Sequence, residues 1–220
     1  MSLEDSRRDL PGGSSPAGEV ASVPAKPRTG RASRQTTETS VEVTINVDGT
    51  GSSEVDTGIG FLDHMLALFA MHGLMDLKLC CKGDLRVDEH HTVEDVGIAL
   101  GTALADALKD KSGIRRYGFS SVVHDEAWVM VSLDFSGRPV LVCEADQLEG
   151  SRCPLSEELL VEFLRAFAFN CGLTLHVKVV RGKNGHHIVE AVFKALGRAC
   201  DDALALDCRV KGVPSTKGVL

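Results

Sequence analysis

The sequence predicts an α+β fold made of two duplicated half-domains, each with a small mixed sheet and two helices. Two segments are nearly the same: HHTVEDVGIALGTALADAL at 90–108 and HHIVEAVFKALGRACDDAL at 186–204 agree at 12 of 19 positions, with a constant offset of 96. The predicted elements also follow the same order, roughly strand, strand, helix, strand, helix, in both parts of the chain. Because the two helices of each half need a sheet face to cover, a sandwich of sheets and helices is expected.

The first half is expected to begin at residue 34, because residues 1–33 are rich in Pro, Gly, Ser and charge and predict a disordered extension. Alternating strands, a hairpin and apolar helical spacing predict five elements before the first repeat helix. They are a strand over 39–49, a short strand over 53–58 in a hairpin with it, a helix over 61–74, and strands over 77–83 and 85–88.

The second half, residues 113–220, follows a linker around 109–118 and completes one catalytic domain over 34–220. Segments 119–135 and 138–145 predict paired strands around a turn at Ser136 and Gly137. A helix, a strand and the second repeat helix should follow, over 155–172, 173–182 and 186–204. The tail, RVKGVPSTKGVL, is too basic and glycine-rich to be helical.

The composition is ordinary for a soluble globular protein and leaves a small anionic substrate possible. Hydrophobic residues make up 43%, charged residues 25%, and the net charge is −7, which argues against a general binder of nucleic acids or membrane surfaces. No apolar run is long enough to span a bilayer. The seven cysteines are odd in number and lack a CxxC pair, so we expect reduced thiols in a cytoplasmic protein.

Both repeat helices begin with HHxxE, a pattern rich in metal-binding side chains. The first copy contributes His90, His91 and Glu94; the second contributes His186, His187 and Glu190. On a helix, residues three and four apart share a face, whereas adjacent residues diverge by roughly 100°. The simplest geometry therefore sends the two neighbouring histidines to different metals, each completed from elsewhere in the chain or from another subunit.

Two simpler explanations of these residues compete with a metal site. A histidine pair is often a surface accident, and a His–Glu pair at helical spacing is often an exposed ion pair. Recurrence of the pattern in register favours a site. The first helices of the halves also align, which places His64 opposite Glu162 as a further ligand in each half.

Five motifs in order resemble imidazoleglycerol-phosphate dehydratases of the monofunctional form: LDHM at 62–65, DEHHTVED at 88–95, LDFSGRP at 133–139, GKNGHHIVEA at 182–191 and PSTKG at 214–218. The resemblance covers residues 34–220. It implies helices packed between two sheets, as in the second domain of ribosomal protein S5. It also implies a 24-subunit assembly built from trimers, with two Mn²⁺ ions per active site at subunit interfaces.

The implied reaction is a hydro-lyase step of L-histidine biosynthesis, in which D-erythro-imidazole glycerol phosphate loses water to give imidazole acetol phosphate. The proton that is removed is not acidic, so the imidazole ring must accept the electrons. Metal ions on both ring nitrogens would hold the ring as an imidazolate and allow hydroxide to leave through a diazafulvene-type intermediate. By ligand type alone zinc, manganese, iron or cobalt are all suitable.

The resemblance assigns roles to individual residues, with Glu38, Asp125 and Glu190 as acid–base groups. The metal ligands it implies are His64, His90, His91, Glu94, His186, His187 and Glu190, together with Glu162, where the family often has histidine. The substrate contacts it implies are Glu38, His64, Arg116, Arg138, Lys194, Ser215 and Lys217. His124 stands where a related sequence usually has methionine, so no ligand role is expected for it.

Two other classes of function remain open at this point. A dinuclear metallohydrolase would need carboxylates bridging the metals, which the diverging histidine pairs disfavour. A metal-storage protein would need neither Glu38 nor the cations of SGRP and PSTKG. Replacing Arg138 or Lys217 distinguishes the classes, since storage should survive and turnover of a phosphorylated substrate should not.

Overall fold

The computed structural model describes residues 26–220, and residues 1–25 of the extension predicted over 1–33 lie outside the described residues. Each half has the element order strand, strand, strand, helix, strand, helix. The first half contains β1 (Thr29–Gln35), β2 (Thr39–Asn46), β3 (Ser53–Asp56), α1 (Gly60–His72), β4 (Asp76–Gly83) and α2 (His90–Leu108). The second half contains β5 (Tyr117–His124), β6 (Ala127–Asp134), β7 (Val140–Glu144), α3 (Glu157–Cys171), β8 (Thr174–Arg181) and α4 (Gly185–Leu204).

The two sheets have the same topology, with strand orders β1-β2-β4-β3 and β5-β6-β8-β7. In each sheet the first, second and fourth strands in chain order are antiparallel neighbours, and the third strand pairs parallel with the fourth. A helix connects each parallel pair, as a parallel connection requires. The α+β fold of duplicated halves predicted from the sequence is therefore confirmed.

Two predicted strand pairings are wrong. The strand at 53–58 forms no hairpin with the preceding strand, since β3 lies beside β4 at the far edge of the sheet. Likewise β7 pairs with β8, and the hairpin of the second half closes at Asp125 and Glu126 rather than at Ser136 and Gly137. Apolar alternation predicts that a strand exists, but it carries no information about which neighbour the strand takes.

Two boundaries also differ from the prediction. Strand β1 begins at Thr29, so residues 29–33 belong to the first sheet and not to a disordered segment. This edge strand buries only Gly30 fully, which explains why no apolar alternation marks it. Residues 85–87 form a turn before α2 rather than a strand, and their side chains are exposed.

The four helices lie between the sheets in exchanged pairs, with α1 of the first half against α4 and α3 of the second half against α2. Glycines allow the backbones to approach at both crossings: a Cβ at Gly197 would lie 2.5 Å from the carbonyl oxygen of Phe69, and one at Gly101 would lie 2.5 Å from that of Phe167. Phe69 and Phe167 themselves meet edge to face at 5.9 Å in the core. The exchange places side chains from both halves at each end of the helix layer.

The cysteines and the helix lengths bear on two further expectations. All seven cysteines are unpaired in the described residues, and their reduced state stays a prediction. Burial raises the pKa of Cys171 to about 12, so that thiol is unreactive. Over residues 26–220, none of the helices combines the length and the apolar character needed to cross a bilayer.

Candidate metal centre and active site

One group of potential metal ligands joins both halves of the chain. His186 and Glu190 occupy successive turns of α4, and α1 runs alongside and adds His64. Glu190 Oε1 lies 2.8 Å from His186 Nε2 and 3.2 Å from His64 Nε2. One ligand atom from each of the three side chains lies within 4.8 Å of the other two. The exchanged helix pair therefore assembles this group within a single chain.

The charge state of Glu190 suits a ligand. The residue is only 7% exposed, and its Oε2 accepts a hydrogen bond from Lys194 Nζ at 2.7 Å. Burial alone would raise the pKa of this carboxyl, but hydrogen bonds from Lys194, His64 and His186 lower it to about 2. The carboxylate is consequently ionised at neutral pH and is a weak proton acceptor.

The donor geometry fits a first-row divalent ion. Two adjacent ligands of an octahedral ion at about 2.1 Å stand about 3 Å apart, which matches the spacing of the two histidine nitrogens from Glu190 Oε1. Two imidazoles and one carboxylate are a donor set that zinc, manganese, iron and cobalt accept. His64, His186 and Glu190 are therefore the residues that could hold such an ion.

A second group surrounds His187, the other histidine of the same pair. One ligand atom from each of His124, Asp125 and His187 lies within 4.8 Å of the other two. His187 Nδ1 lies 2.7 Å from Glu126 Oε2, and donating this hydrogen bond to Glu126 raises the pKa of His187. His124, for which no ligand role is predicted, accepts a hydrogen bond from Lys194 Nζ through Nδ1 at 2.8 Å.

The first half repeats part of this arrangement around α2. His91 Nδ1 contacts both oxygens of Asp84, at 3.1 and 3.2 Å, and lies 3.8 Å from Glu38 Oε2. The hydrogen bond that His91 donates to Asp84 raises the pKa of His91. His90 Nε2 stands 4.0 Å from Glu94 Oε2, so this pair is looser than the pair of His186 and Glu190.

Glu38 and Asp125 occupy corresponding positions in the two halves. Glu38 lies in the turn between β1 and β2, and Asp125 lies in the turn between β5 and β6. Each stands near the second histidine of a pair, Glu38 at 3.8 Å from His91 Nδ1 and Asp125 at 3.9 Å from His187 Nε2. Both carboxylates are exposed and can reach a bound molecule.

Glu162 lies on α3 at the position that corresponds to His64 on α1, as the sequence alignment predicts. Its carboxylate accepts a hydrogen bond from Arg165 Nη1 at 2.7 Å, one turn along the same helix. None of the ligand groups found in the described part of the chain includes Glu162. Its role as a ligand stays a prediction.

Three of the cations predicted to contact the substrate, Arg116, Arg138 and Lys217, line a separate cleft of about 710 Å³. The residues that line it are Arg116, Tyr117, Arg138, Pro214, Ser215, Thr216 and Lys217. Arg116 binds Asp134 through Nε and Nη2, at 2.6 and 3.0 Å, and its Nη1 donates to the Pro214 carbonyl at 2.9 Å. The C-terminal tail is thereby held against the start of β5.

The predicted site residues thus fall into separate groups. Lys194 lies with His124 and Glu190 rather than in the cleft. Within residues 26–220, no hydrogen bond or ion pair links the side chains of the cleft to the histidine groups. A single chain brings together His64, His186 and Glu190, but it does not unite all the predicted ligands with the predicted phosphate contacts.

Three side chains at these groups were not predicted from the sequence: Asp84, Glu126 and His124. Asp84 follows β4, whereas Glu126 sits in the β5–β6 turn, so the two carboxylates have no common place in the repeat. Self-comparison of the sequence therefore could not identify them. The adjacent acidic pair of Asp125 and Glu126 was the available signal for Glu126.

The fold and these groups together define a class of duplicated α+β protein whose exchanged helices carry a histidine and carboxylate centre. Residues 57–200 match the family model for imidazoleglycerol-phosphate dehydratase. The chain is 57% identical over 188 residues to the imidazoleglycerol-phosphate dehydratase of Acetivibrio thermocellus, covering 86% of this chain and 96% of that protein. Its identity to that of Ruminiclostridium cellulolyticum is 55% over 193 residues, covering 88% and 100%. The chain therefore belongs to the imidazoleglycerol-phosphate dehydratase family, a family of hydro-lyases.

Solved structures agree with this assignment. The imidazoleglycerol-phosphate dehydratase from Staphylococcus aureus superposes with a TM-score of 0.73 at 36% identity, covering 81% of this chain and 99% of that one. The enzyme from Pyrococcus furiosus, in complex with (S)-C348, gives a TM-score of 0.74 at 37% identity, covering 86% and 99%. Both are similar to this chain in fold and in sequence.

Proposed function

We propose that the protein catalyses the Mn²⁺-dependent dehydration of imidazole glycerol phosphate to imidazole acetol phosphate, a step of L-histidine biosynthesis in the cytoplasm. The observation that carries this proposal is the group of His64, His186 and Glu190, in a chain whose relatives are named as dehydratases of this substrate. Mixed imidazole and carboxylate donors are what a divalent ion with open coordination positions needs.

Two ions per active site are proposed, because each repeat helix carries its own HHxxE set. When bound, the ions would withdraw electrons from the imidazole ring of the substrate and so make its side chain easier to deprotonate. His64, His186 and Glu190 would hold one ion. His90 and Glu94 of the first half, together with Glu162 of the second half, are the corresponding candidates for the other ion, and His91 and His187 would add the remaining imidazoles.

The acid–base work is assigned to Glu38 and Asp125. Both are exposed carboxylates beside a ligand histidine, at equivalent turns of the two halves. Glu190, the third candidate, is better suited to ligation, since a carboxylate whose pKa is about 2 accepts protons weakly near neutral pH. Proton transfer by Glu38 or Asp125 needs only that the substrate carbon lie between the turn and the ion.

The phosphate group of the substrate is assigned to the cleft of Arg138, Ser215 and Lys217. Three N–H groups of Arg116 already donate to Asp134 and to the Pro214 carbonyl, and these hydrogen bonds order the tail. Only the remaining N–H groups of Arg116 can donate to the phosphate. The guanidinium of Arg138 is exposed and suits a phosphate, to which an arginine can donate two parallel hydrogen bonds. Lys194 would contact the substrate from the metal side.

We also propose that the active sites lie at subunit interfaces of a 24-mer built from trimers. The separation of the ligand groups from the cleft within one chain supports this arrangement, because a neighbouring subunit could then complete each site. A mass measurement in solution tests the assembly directly. A monomer that turns over substrate at full rate would contradict it.

The decisive experiment is turnover of imidazole glycerol phosphate by metal-stripped protein, with and without added Mn²⁺. Formation of the ketone product only after metal is restored is the expected result. Absence of turnover with any divalent ion, in protein that still binds two ions per chain, would contradict the proposal and favour storage or hydrolysis. The variants R138A and K217A add a second test: they should lose turnover and keep their metal.

A further inference from the structure

The second histidine of each pair makes a hydrogen bond through Nδ1 to a carboxylate from outside its own helix, and among the described residues the first histidine makes no such bond. His187 Nδ1 lies 2.7 Å from Glu126 Oε2, and His91 Nδ1 lies 3.1 Å from the nearer oxygen of Asp84. A carboxylate oxygen can only accept, so both contacts require a proton on Nδ1. In a neutral imidazole this leaves the lone pair on Nε2, which becomes the one nitrogen able to bind a metal.

The first histidine of each pair is arranged differently. His186 directs Nε2 towards Glu190 of its own helix at 2.8 Å, and His90 directs Nε2 towards Glu94 at 4.0 Å. The rings within each pair are nearly perpendicular, at 89° in the second half and 84° in the first. Each first histidine therefore acts with the carboxylate of its own helix, and each second histidine is held by a carboxylate from another element.

We propose that Asp84 and Glu126 are positioning residues, which fix the tautomer and orientation of His91 and His187 so that each binds a metal through Nε2. This inference rests on the proposed metal centre and extends it to two side chains that are not themselves ligands. Carboxylates that accept a hydrogen bond from a metal-bound histidine are a recurrent way of orienting such ligands. Here the same contact is built twice, from unrelated positions in the two halves.

Glu126 is itself held in place. Its Oε1 accepts hydrogen bonds from the backbone N–H groups of Asn184 and Lys183, at 2.8 and 3.2 Å, while Oε2 serves His187. The Glu126 side chain thus connects the β5–β6 turn to the start of α4 and also orients His187. Asp84, in contrast, directs both of its oxygens at His91, and no other side-chain hydrogen bond of Asp84 is formed within residues 26–220.

Because the Asp84 side chain, in the described part of the chain, makes hydrogen bonds only with His91 whereas Glu126 also binds backbone N–H groups, substitutions at the two positions can distinguish a positioning role from a purely structural role. Asparagine at position 84 keeps an oxygen that can accept from His91, whereas leucine of similar size does not. Glutamine at position 126 has a single acceptor oxygen, so it can satisfy either the backbone N–H groups or His187 but not both. If its amide N–H faces His187, Nδ1 must accept, and the proton moves to the nitrogen that a metal needs.

The test measures binding of Co²⁺ alone to metal-stripped full-length protein, followed by the visible absorption of the bound ion. D84L and E126Q should bind about 10- to 100-fold more weakly than the parent and change the spectrum, whereas D84N should bind nearly as the parent does. The control is E144Q, since Glu144 is an exposed carboxylate that pairs with Lys178 on the outer face of the sheet. Circular dichroism verifies that each variant is folded.

The outcomes distinguish a failure of the positioning role from a failure of the proposed function. Parent-like binding by both D84L and E126Q would overturn the positioning role, as would equal weakening by D84N and D84L. If E126Q does not fold, the pair of substitutions at position 84 decides alone. A parent protein that binds no metal at all would instead overturn the proposed function.

Discussion

The two halves of the chain share a scaffold but differ in how their ligands meet. Arg28 binds Asp48 at 2.6 Å near the open end of the first hairpin, and Arg116 binds Asp134 at 2.6 Å near the open end of the second. The two arginines correspond, but Asp134 corresponds to Asn46, two residues before Asp48. The helix crossings also correspond, as the glycines described above show. Duplication has therefore preserved the helix crossings and an ion pair at the open end of each hairpin, with the aspartate shifted by two residues.

The ligand groups do not correspond as closely. His64 of α1 meets Glu190 of α4, a contact between a possible proton donor and an acceptor. At the corresponding position on α3, the Glu162 carboxylate accepts a hydrogen bond from Arg165 of its own helix. Histidine at this position thus joins a ligand group within the chain, whereas glutamate is paired with an arginine.

The largest effect is expected for E190Q, which removes the carboxylate shared by His64, His186 and Lys194. Because even the outer partners of ligands are worth about 10- to 100-fold in affinity, loss of this ligand should cost more than about 100-fold. Metal analysis of the purified protein should show one ion fewer per chain, and turnover should fall accordingly. E94Q is the matched variant of the first half. Unchanged metal content in E190Q would show that the assembled group is not a metal site.

The next comparison is between His64 and Glu162, which occupy the same position in the two halves. We expect H64A to lower metal affinity by about 100-fold and E162A by less than about tenfold, because Glu162 is already paired with Arg165. Isothermal titration with Mn²⁺ measures both, and R165A serves as the control that frees Glu162. Equal losses in H64A and E162A would mean that metal binding draws Glu162 away from Arg165 and makes the halves equivalent.

The sequence was sufficient to predict the features that repeat or alternate. The helix over 90–108 and the register between His64 and Glu162 follow from self-comparison, and most strands follow from apolar alternation. Strand β1 was not predicted, because an edge strand with one fully buried residue shows no such alternation. The strands that pair with β3 and β7 were predicted wrongly, because parallel pairing depends on where the connecting helix packs.

The candidate site divides in the same way. The HHxxE sets could be predicted because a helix places residues four apart on one face wherever it lies. Asp84 and Glu126 could not, since each reaches its histidine through a turn whose conformation is set by the sheet and not by local spacing. Lys194 lies apart from the cleft that contains Arg138 and Lys217. This separation depends on tertiary structure, so it could not be predicted from the order of residues along the chain.

A third pair of variants compares Arg28 with Arg116. Each guanidinium makes charged hydrogen bonds to an aspartate and donates to a carbonyl at 2.9 Å, that of Leu204 or of Pro214. Alanine at either position should lower the free energy of unfolding by about 1.5–3 kcal/mol. Only R116A should also raise KM for the phosphorylated substrate, because only the second-half pair opens onto the cleft. Denaturant unfolding and steady-state kinetics separate the two effects, and a raised KM in R28A would contradict the distinction.

The smallest effect is expected at two glycines that correspond in the first strand of each half. A Cβ at Gly30 would lie 1.9 Å from the carbonyl oxygen of Ala103, and a Cβ at Gly118 would lie 1.9 Å from that of Ala199. Since the obstacle in both cases is helix backbone rather than a mobile side chain, G30A and G118A should each destabilise the fold by about 1–3 kcal/mol. Thermal unfolding measures both changes. Similar losses would show that strand and helix are packed alike in the two halves, whereas a loss confined to one glycine would show that the duplicated scaffold tolerates displacement on one side only.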